Sequence, residues 1–178
     1  MLQEKKPIRG IIYASLFGAL TAVGAYIIIP LPPVPITAQT FFLNVAAAVL
    51  GGPLGAASQF IYIMLGVLGM PVFAGGKSGL GVLFGPTGGY LIGFILGAFV
   101  IGFLASQKKE AGIWWYGFSM LAGMVIIYLL GVLQLSFVAR LDLIKAASVG
   151  ILPFLPGDMV KIALAAWVSC QLKKRIII

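Results

Sequence analysis

The chain has 178 residues, 61% of them hydrophobic and 9% charged, with a formal net charge of +8 and a mean hydropathy of +1.13. Soluble domains carry about 25% charged residues, so this composition requires a protein embedded in lipid. It also excludes much catalytic chemistry, because the absence of histidine removes most metal sites and every histidine-activated nucleophile. The acidic residues Glu4, Glu110, Asp142 and Asp158 are scattered, which argues against a catalytic carboxylate pair. The single cysteine, Cys170, can form no internal disulfide. The basic residues stand in short clusters between or beyond apolar segments, so membrane topology accounts for the charge and no nucleic acid partner is expected.

No residue between Arg9 and Lys77 is charged. One span needs about 20 residues, so several spans must share this stretch. It opens at Gly10 after Lys5, Lys6 and Arg9, but apolar segments continue to the C-terminus and a removable signal peptide is not expected. Charges, prolines and glycines divide the chain into helices predicted at 10–29, 37–51, 54–70, 88–105, 113–138 and 157–172. The expected fold is all-α: one domain over 1–178, a polytopic bundle of six transmembrane helices.

An even number of spans puts both termini on one side. That side collects Lys5, Lys6, Arg9, Lys108, Lys109, Lys173, Lys174 and Arg175, against Lys77, Arg140 and Lys145 opposite, so the termini are expected in the cytoplasm of a prokaryotic cell. Trp114, Trp115, Tyr116 and Trp167 then fall near the cytoplasmic interface as an aromatic belt. Three connections face outward: the proline-rich Pro30–Ile36, the glycine-rich segment after Met70, and Arg140–Pro156. The inward ones are the turn Gly51-Gly52-Pro53 and the charged Ser106–Gly112. All the irregular, sparsely charged backbone is thus outside, which implies a pocket roofed by three loops and open outward. No internal repeat is evident.

The segment from Pro71 to Gly89 is too rich in glycine to continue a helix. Its unpaired backbone groups must be buried against protein or line a pocket. Its run up to Lys77-Ser78 approaches a phosphate-binding loop, but Pro71 stands where the first glycine belongs and no helix follows, so it is read as no ATP site. Asp158 and Lys161 share one face at the start of the last helix. They form either a local ion pair favoured by the helix N-terminus or a site, since ionisable groups in spans usually face a cavity. Together they match a ligand presenting both N–H and C=O, such as a cyclic urea or amide.

Gln39, Asn44, Ser58, Gln59 and Tyr62 need partners within the second and third helices, and inter-helix hydrogen bonds are the common solution. Gln39, nearest the outer end, is the best ligand candidate among them. Gly10, Ala14, Gly18 and Ala22 make a stripe of small residues on the first helix, and Gly85, Gly89, Gly93 and Gly97 another. The second is assigned to packing within the bundle. The first, on a terminal helix with its own basic cluster, is assigned to docking another subunit.

Pro35-Ile-Thr-Ala-Gln39-Thr, Gly51-Gly-Pro-Leu-Gly55, Gly69-Met-Pro-Val-Phe-Ala-Gly75-Gly, Gly81-Val-Leu-Phe-Gly-Pro-Thr-Gly-Gly-Tyr90 and Pro156-Gly-Asp158-x-x-Lys161 occur in that order. Together they resemble the BioY family of biotin-binding S-components of energy-coupling-factor (ECF) transporters, and the resemblance covers almost the whole chain. It implies a six-helix bundle that captures biotin outside the cell, without cofactor, and associates with a transmembrane coupling subunit and two cytoplasmic ATPases. It further implies that Asp158 and Lys161 lie at the ligand, that Gly75, Gly76 and Tyr90 shape the pocket, and that Ala14, Gly18 and Ala22 dock the coupling subunit. Lys77 matches no fixed family position. On chemistry alone, Asp158 suits the urea N–H groups of biotin, Lys161 its carbonyl or its carboxylate, and Lys77 or Arg140 the carboxylate. The competing readings are an S-component for another vitamin, a self-sufficient secondary carrier in which Asp158 is a proton or cation site, and a membrane transferase, which the missing histidine disfavours.

Overall fold

The computed structural model describes residues 5–108 and 110–173, so Glu4, Lys109, Lys174 and Arg175 lie outside the described residues. Within these the chain forms α1 (Lys5–Tyr26), β1 (Ile28–Ile29), β2 (Ile36–Thr37), α2 (Gln39–Leu50), α3 (Gly52–Val67), α4 (Leu80–Leu83), α5 (Gly88–Ser106), α6 (Ile113–Ala139), α7 (Leu143–Gly150) and α8 (Leu155–Lys173).

The connections hold more order than their composition suggested. The first helix ends at Tyr26 instead of running to position 29, because Ile28 and Ile29 pair antiparallel with Thr37 and Ile36. β-branched residues followed by a proline favour extended chain. The segment Arg140–Pro156 contains α7, whose first turn is capped where Asp142 Oδ1 accepts the Lys145 backbone N–H at 2.9 Å. The glycine-rich segment contains α4 and a tight turn in which Phe73 N–H donates to Lys77 O at 3.0 Å.

Three segments, Ile8–Tyr26, Gly88–Ser106 and Ile113–Ala139, are long and apolar enough to cross a membrane, and a fourth results if α7 and α8, bent by 53°, act as one. Six spans were expected. With 12 and 16 residues, α2 and α3 reach only about 18 and 24 Å at 1.5 Å per residue, short of a hydrocarbon core of about 30 Å. The position of α2 accounts for its apolarity differently: every residue from Leu43 to Leu50 is buried. It lies among α1, α3, α5, α6 and α8, and a helix apolar on all sides is at home in such a core. The lipid-facing surface is supplied by its neighbours. Ile12 and Leu16 on α1, Ile92 and Phe99 on α5, Val125 and Leu129 on α6, and Val160 and Leu164 on α8 are all exposed. An apolar surface of this extent requires a bilayer.

Small residues set the closest contacts. A Cβ added at Gly89 would lie 2.2 Å from Leu130 O, and one at Gly93 2.9 Å from Ile127 Cα, so α5 and α6 touch backbone to backbone along the expected stripe. The stripe on α1 is a correction. Ala14 is 1% and Ala22 9% exposed, and a Cβ at Gly18 would lie 2.8 Å from Ser58 O. That face of α1 is buried within the chain and meets its own α3 at Gly18. Tyr116 also departs from the belt reading, being buried. Trp114 and Trp167 are exposed, and Trp115 donates its indole N–H to Leu104 O at 2.9 Å with Lys108 Nζ 4.0 Å above its ring.

Candidate functional site

A cavity opens at the end of the bundle where α1 and α3 finish and α2, α5 and α8 begin. Its apolar walls include Phe73, Leu91, Phe94 and Ile127. Gly66 lets the wall close, because the Phe73 ring fills the place where a side chain there would stand. Phe73 meets Tyr62 edge to face at 5.7 Å. Van der Waals walls of this kind with a few converging polar groups are the usual anatomy of a small-molecule site.

A polar cluster on the wall is assembled from β2 and three helices. Asp158, with its side chain 3% exposed, and Lys161, 15% exposed, pair at 2.5 Å between Nζ and Oδ1. Lys161 Nζ also donates to Thr40 Oγ1 at 2.8 Å and to Thr37 O at 2.9 Å. The Thr40 hydroxyl donates a hydrogen bond to Asp158 Oδ1 at 3.1 Å, and the Tyr128 hydroxyl donates to Asp158 Oδ2. A charge withdrawn this far from water persists only when paired and hydrogen-bonded. Here both are met by groups from β2, α2, α6 and α8, so the carboxylate is held in one orientation before any ligand arrives.

The residues singled out from sequence separate into groups. Gln39, Lys77, Tyr90, Asp158 and Lys161 all stand on the cavity wall. Gln39 is committed to structure: its amide N–H donates to the Tyr62 hydroxyl, and its oxygen accepts from Thr37 at 2.8 Å. Tyr90 donates to Gly150 O at 2.9 Å, tying α5 to α7. Gly75 and Gly76 are not on the wall; with φ of 74° and 72° they make the turn that carries Ala74 and Lys77 to it. Arg140 is exposed at the end of α6, away from the wall. Asn44, expected to find an inter-helix partner, is fully buried and its side-chain amide makes no hydrogen bond among the described residues.

Tyr128 was missed as a site residue. Thr37 and Thr40 both lay inside a quoted motif without being assigned a role. The available signal for Tyr128 was a hydroxyl midway along an otherwise apolar span, which requires a buried partner. Gln134 was missed too: its amide N–H groups donate to Leu83 O at 2.6 Å and Gly85 O at 2.8 Å, holding the chain between α4 and α5 against α6.

Comparison with known proteins adds identity to geometry. The sequence pattern of the BioY family matches residues 1–177. A Thermotoga maritima protein named biotin transporter BioY is 51% identical over 166 residues, which are 93% of this chain and 96% of that one. A probable biotin transporter BioY from Pyrococcus horikoshii is 40% identical, covering 89% of this chain and 93% of its own length. Among solved structures, the S-component for biotin from an ECF-type ABC transporter superposes with a TM-score of 0.87 at 26% identity, covering 99% of this chain and 95% of that one.

Proposed function

The chain belongs to the BioY family, and we propose that it captures biotin and serves its uptake as the membrane-embedded S-component of an ECF-type importer. The observation that carries this reading is the preassembled Asp158–Lys161–Thr40–Tyr128 cluster on the wall of a largely apolar cavity. Biotin offers two urea N–H groups and a carbonyl on a fused ring whose thioether suits apolar walls. A fixed carboxylate supplies the acceptor that such N–H groups require, and Phe73, Phe94 and Ile127 receive the ring. The proposed ligand residues are Asp158, Tyr128, Lys77 and Lys161, with Gln39, Thr40 and Tyr90 holding the walls and Gly75 and Gly76 shaping the turn.

The finer topology follows from charge. The protein sits in the plasma membrane of a prokaryote as a multi-pass bundle of six principal helices, α1, α2, α3, α5, α6 and α8, with both termini cytoplasmic and the cavity opening outward. Energy comes from partners, a transmembrane coupling subunit and two cytoplasmic ATPases. The purified chain alone is expected to bind biotin one to one in calorimetry without any ATPase. No heat with biotin but clear heat with another vitamin would overturn the ligand. Uptake by the chain alone, collapsed by an ionophore and indifferent to the ATPases, would overturn the ATP-driven assignment.

A further inference from the structure

We propose that α7 lies along the bilayer surface at the cavity end of the bundle, with Leu143 and Ile144 among the acyl chains and Arg140 and Lys145 at the phosphates of anionic lipids. The inference requires only that the bundle spans a membrane, and it holds whatever ligand the cavity takes.

Depth is set by α6. Its 27 residues measure about 40 Å at 1.5 Å each, and it opens with the exposed Trp114, a side chain that settles at a membrane boundary. A hydrocarbon core of about 30 Å takes up about 20 residues, which brings the opposite boundary close to Gln134. The exposed series Val125, Leu129, Leu133 and Phe137, one side chain per turn, carries the lipid-facing stripe of α6 up to and across that level. The chain then folds back. Arg140 takes φ 52°, the Leu141 N–H donates to Ser136 O at 3.0 Å, and Ser136 Oγ donates to Leu141 O at 2.7 Å. At its far end α7 is held by the bond from Tyr90, on the cavity wall, to Gly150 O. A Cβ on Gly150 would lie 3.0 Å from the Leu135 side chain and 3.5 Å from that of Val132. Thus α7 starts beyond the end of α6 and returns to the level of Val132 and Leu135, which is the boundary itself.

The surface of α7 fits that depth. Its buried residues are Ala146 and Gly150, four apart on the face toward the bundle. At 3.6 residues per turn, Leu143 and Lys145 stand on opposite flanks, and Ile144 between them projects away from the bundle. Ile144 is 80% and Phe137 86% exposed, and Leu143 and Leu152 are exposed beside them. These side chains continue a stripe that already faces lipid, so the same lipid covers them. Arg140, at the turn into the helix, and Lys145, on the flank away from Leu143, are also exposed, and neither forms an ion pair among the described residues. The neighbouring acid, Asp142, uses Oδ1 to cap the Lys145 backbone N–H. An apolar flank and a basic flank at boundary depth make an interfacial helix, and its basic groups complement anionic phosphates.

The test places a nitroxide at Leu143→Cys, Ile144→Cys or Lys145→Cys, each in the full chain carrying Cys170→Ala and reconstituted in lipid vesicles. Collision with oxygen, which concentrates in lipid, is compared with collision with a water-soluble nickel chelate. Positions 143 and 144 should favour oxygen, and position 145 nickel. The charge contact is read in wild type, without substitution, from amide exchange over residues 143–149. One basic residue at an anionic surface contributes a factor of about five, so exchange should be roughly five- to thirtyfold slower in phosphatidylglycerol than in phosphatidylcholine. Arg140→Gln combined with Lys145→Gln should remove that difference. Equal nickel access at all three positions would put α7 in water, and shielding of all three from both reagents would mean that protein covers it. Wild-type exchange indifferent to lipid charge would remove the phosphates. Any of these results overturns the proposal.

Discussion

Replacing Gly18 by leucine tests the packing of α1 most directly. A Cβ at that position would stand 2.8 Å from Ser58 O and 3.5 Å from Tyr62 N, both backbone atoms of α3, so the helices must separate and no flexible side chain can yield. Overpacking of this kind costs about 1–3 kcal/mol, and rigid backbone on the receiving side favours the upper end. Separation also strains the bond from Gln59 Nε2 to Thr21 Oγ1, now 3.2 Å, worth about 0.6 kcal/mol between membrane helices. Relief of the helix penalty of glycine returns about 1 kcal/mol. The balance is a loss of about 2–3 kcal/mol, or roughly 4–12 °C in Tm on the scaling for soluble proteins of this size. A thiol-reactive dye can follow the melt in detergent, since Cys170, the single cysteine, is partly buried in the fold. Ala19→Leu, on the exposed face of the same helix, should melt with wild type. The packing argument would be refuted if Gly18→Leu kept wild-type stability while failing to copurify with the coupling subunit, because that would return the stripe to its docking role.

Asp158→Asn should weaken biotin binding by about 1.5–3 kcal/mol, as expected for charge-assisted hydrogen bonds; unchanged calorimetric affinity in folded protein would make the ion pair purely structural. Asp142→Ala should destabilise α7 by about 1 kcal/mol through loss of its N-cap, read as faster amide exchange over residues 143–147 with little change in affinity. Gly76→Val meets no neighbour within 4 Å but must adopt φ near 72°. It should therefore strain the 73–77 turn by about 1–2 kcal/mol, lower Tm by roughly 2–8 °C and weaken biotin several-fold; a much larger fall in Tm would show that the turn supports the core.

The long helices and the Asp158–Lys161 pair were legible because each rests on local spacing: runs of apolar residues between prolines and glycines, and two charges three residues apart. What escaped depended on information that spacing does not carry. The short α4 and α7 were read as loop because four or eight residues hold too little periodicity to outweigh the glycines and prolines around them. The small-residue stripe on α1 announced close packing correctly, yet a stripe cannot say which helix fills it, and α3 proved to be the neighbour. Tyr128 escaped for a related reason, since its partner lies 30 residues away on α8. Gln39 was recognised as polar and near the pocket, but only three-dimensional contact shows its amide committed to Tyr62 and Thr37.

The seclusion of α2 bears on how the molecule is made. Too short to cross alone and joined to α3 through Gly51 and Gly52, it enters the membrane most economically as half of a helical hairpin. While α5, α6 and α8 are still being synthesised, Gln39 and Asn44 lack the walls that bury them. The carboxylate on the cavity wall, Asp158, is synthesised after α5 and α6. A chain halted before α8 therefore lacks the cavity carboxylate, whereas one that includes α8 has it, and a ligand that binds only the fold containing α8 stabilises that fold by mass action. Biotin in the growth medium should accordingly lengthen the life of chains that include α8 against membrane proteases and leave chains truncated before it unprotected, so the cavity would also report that the bundle has assembled.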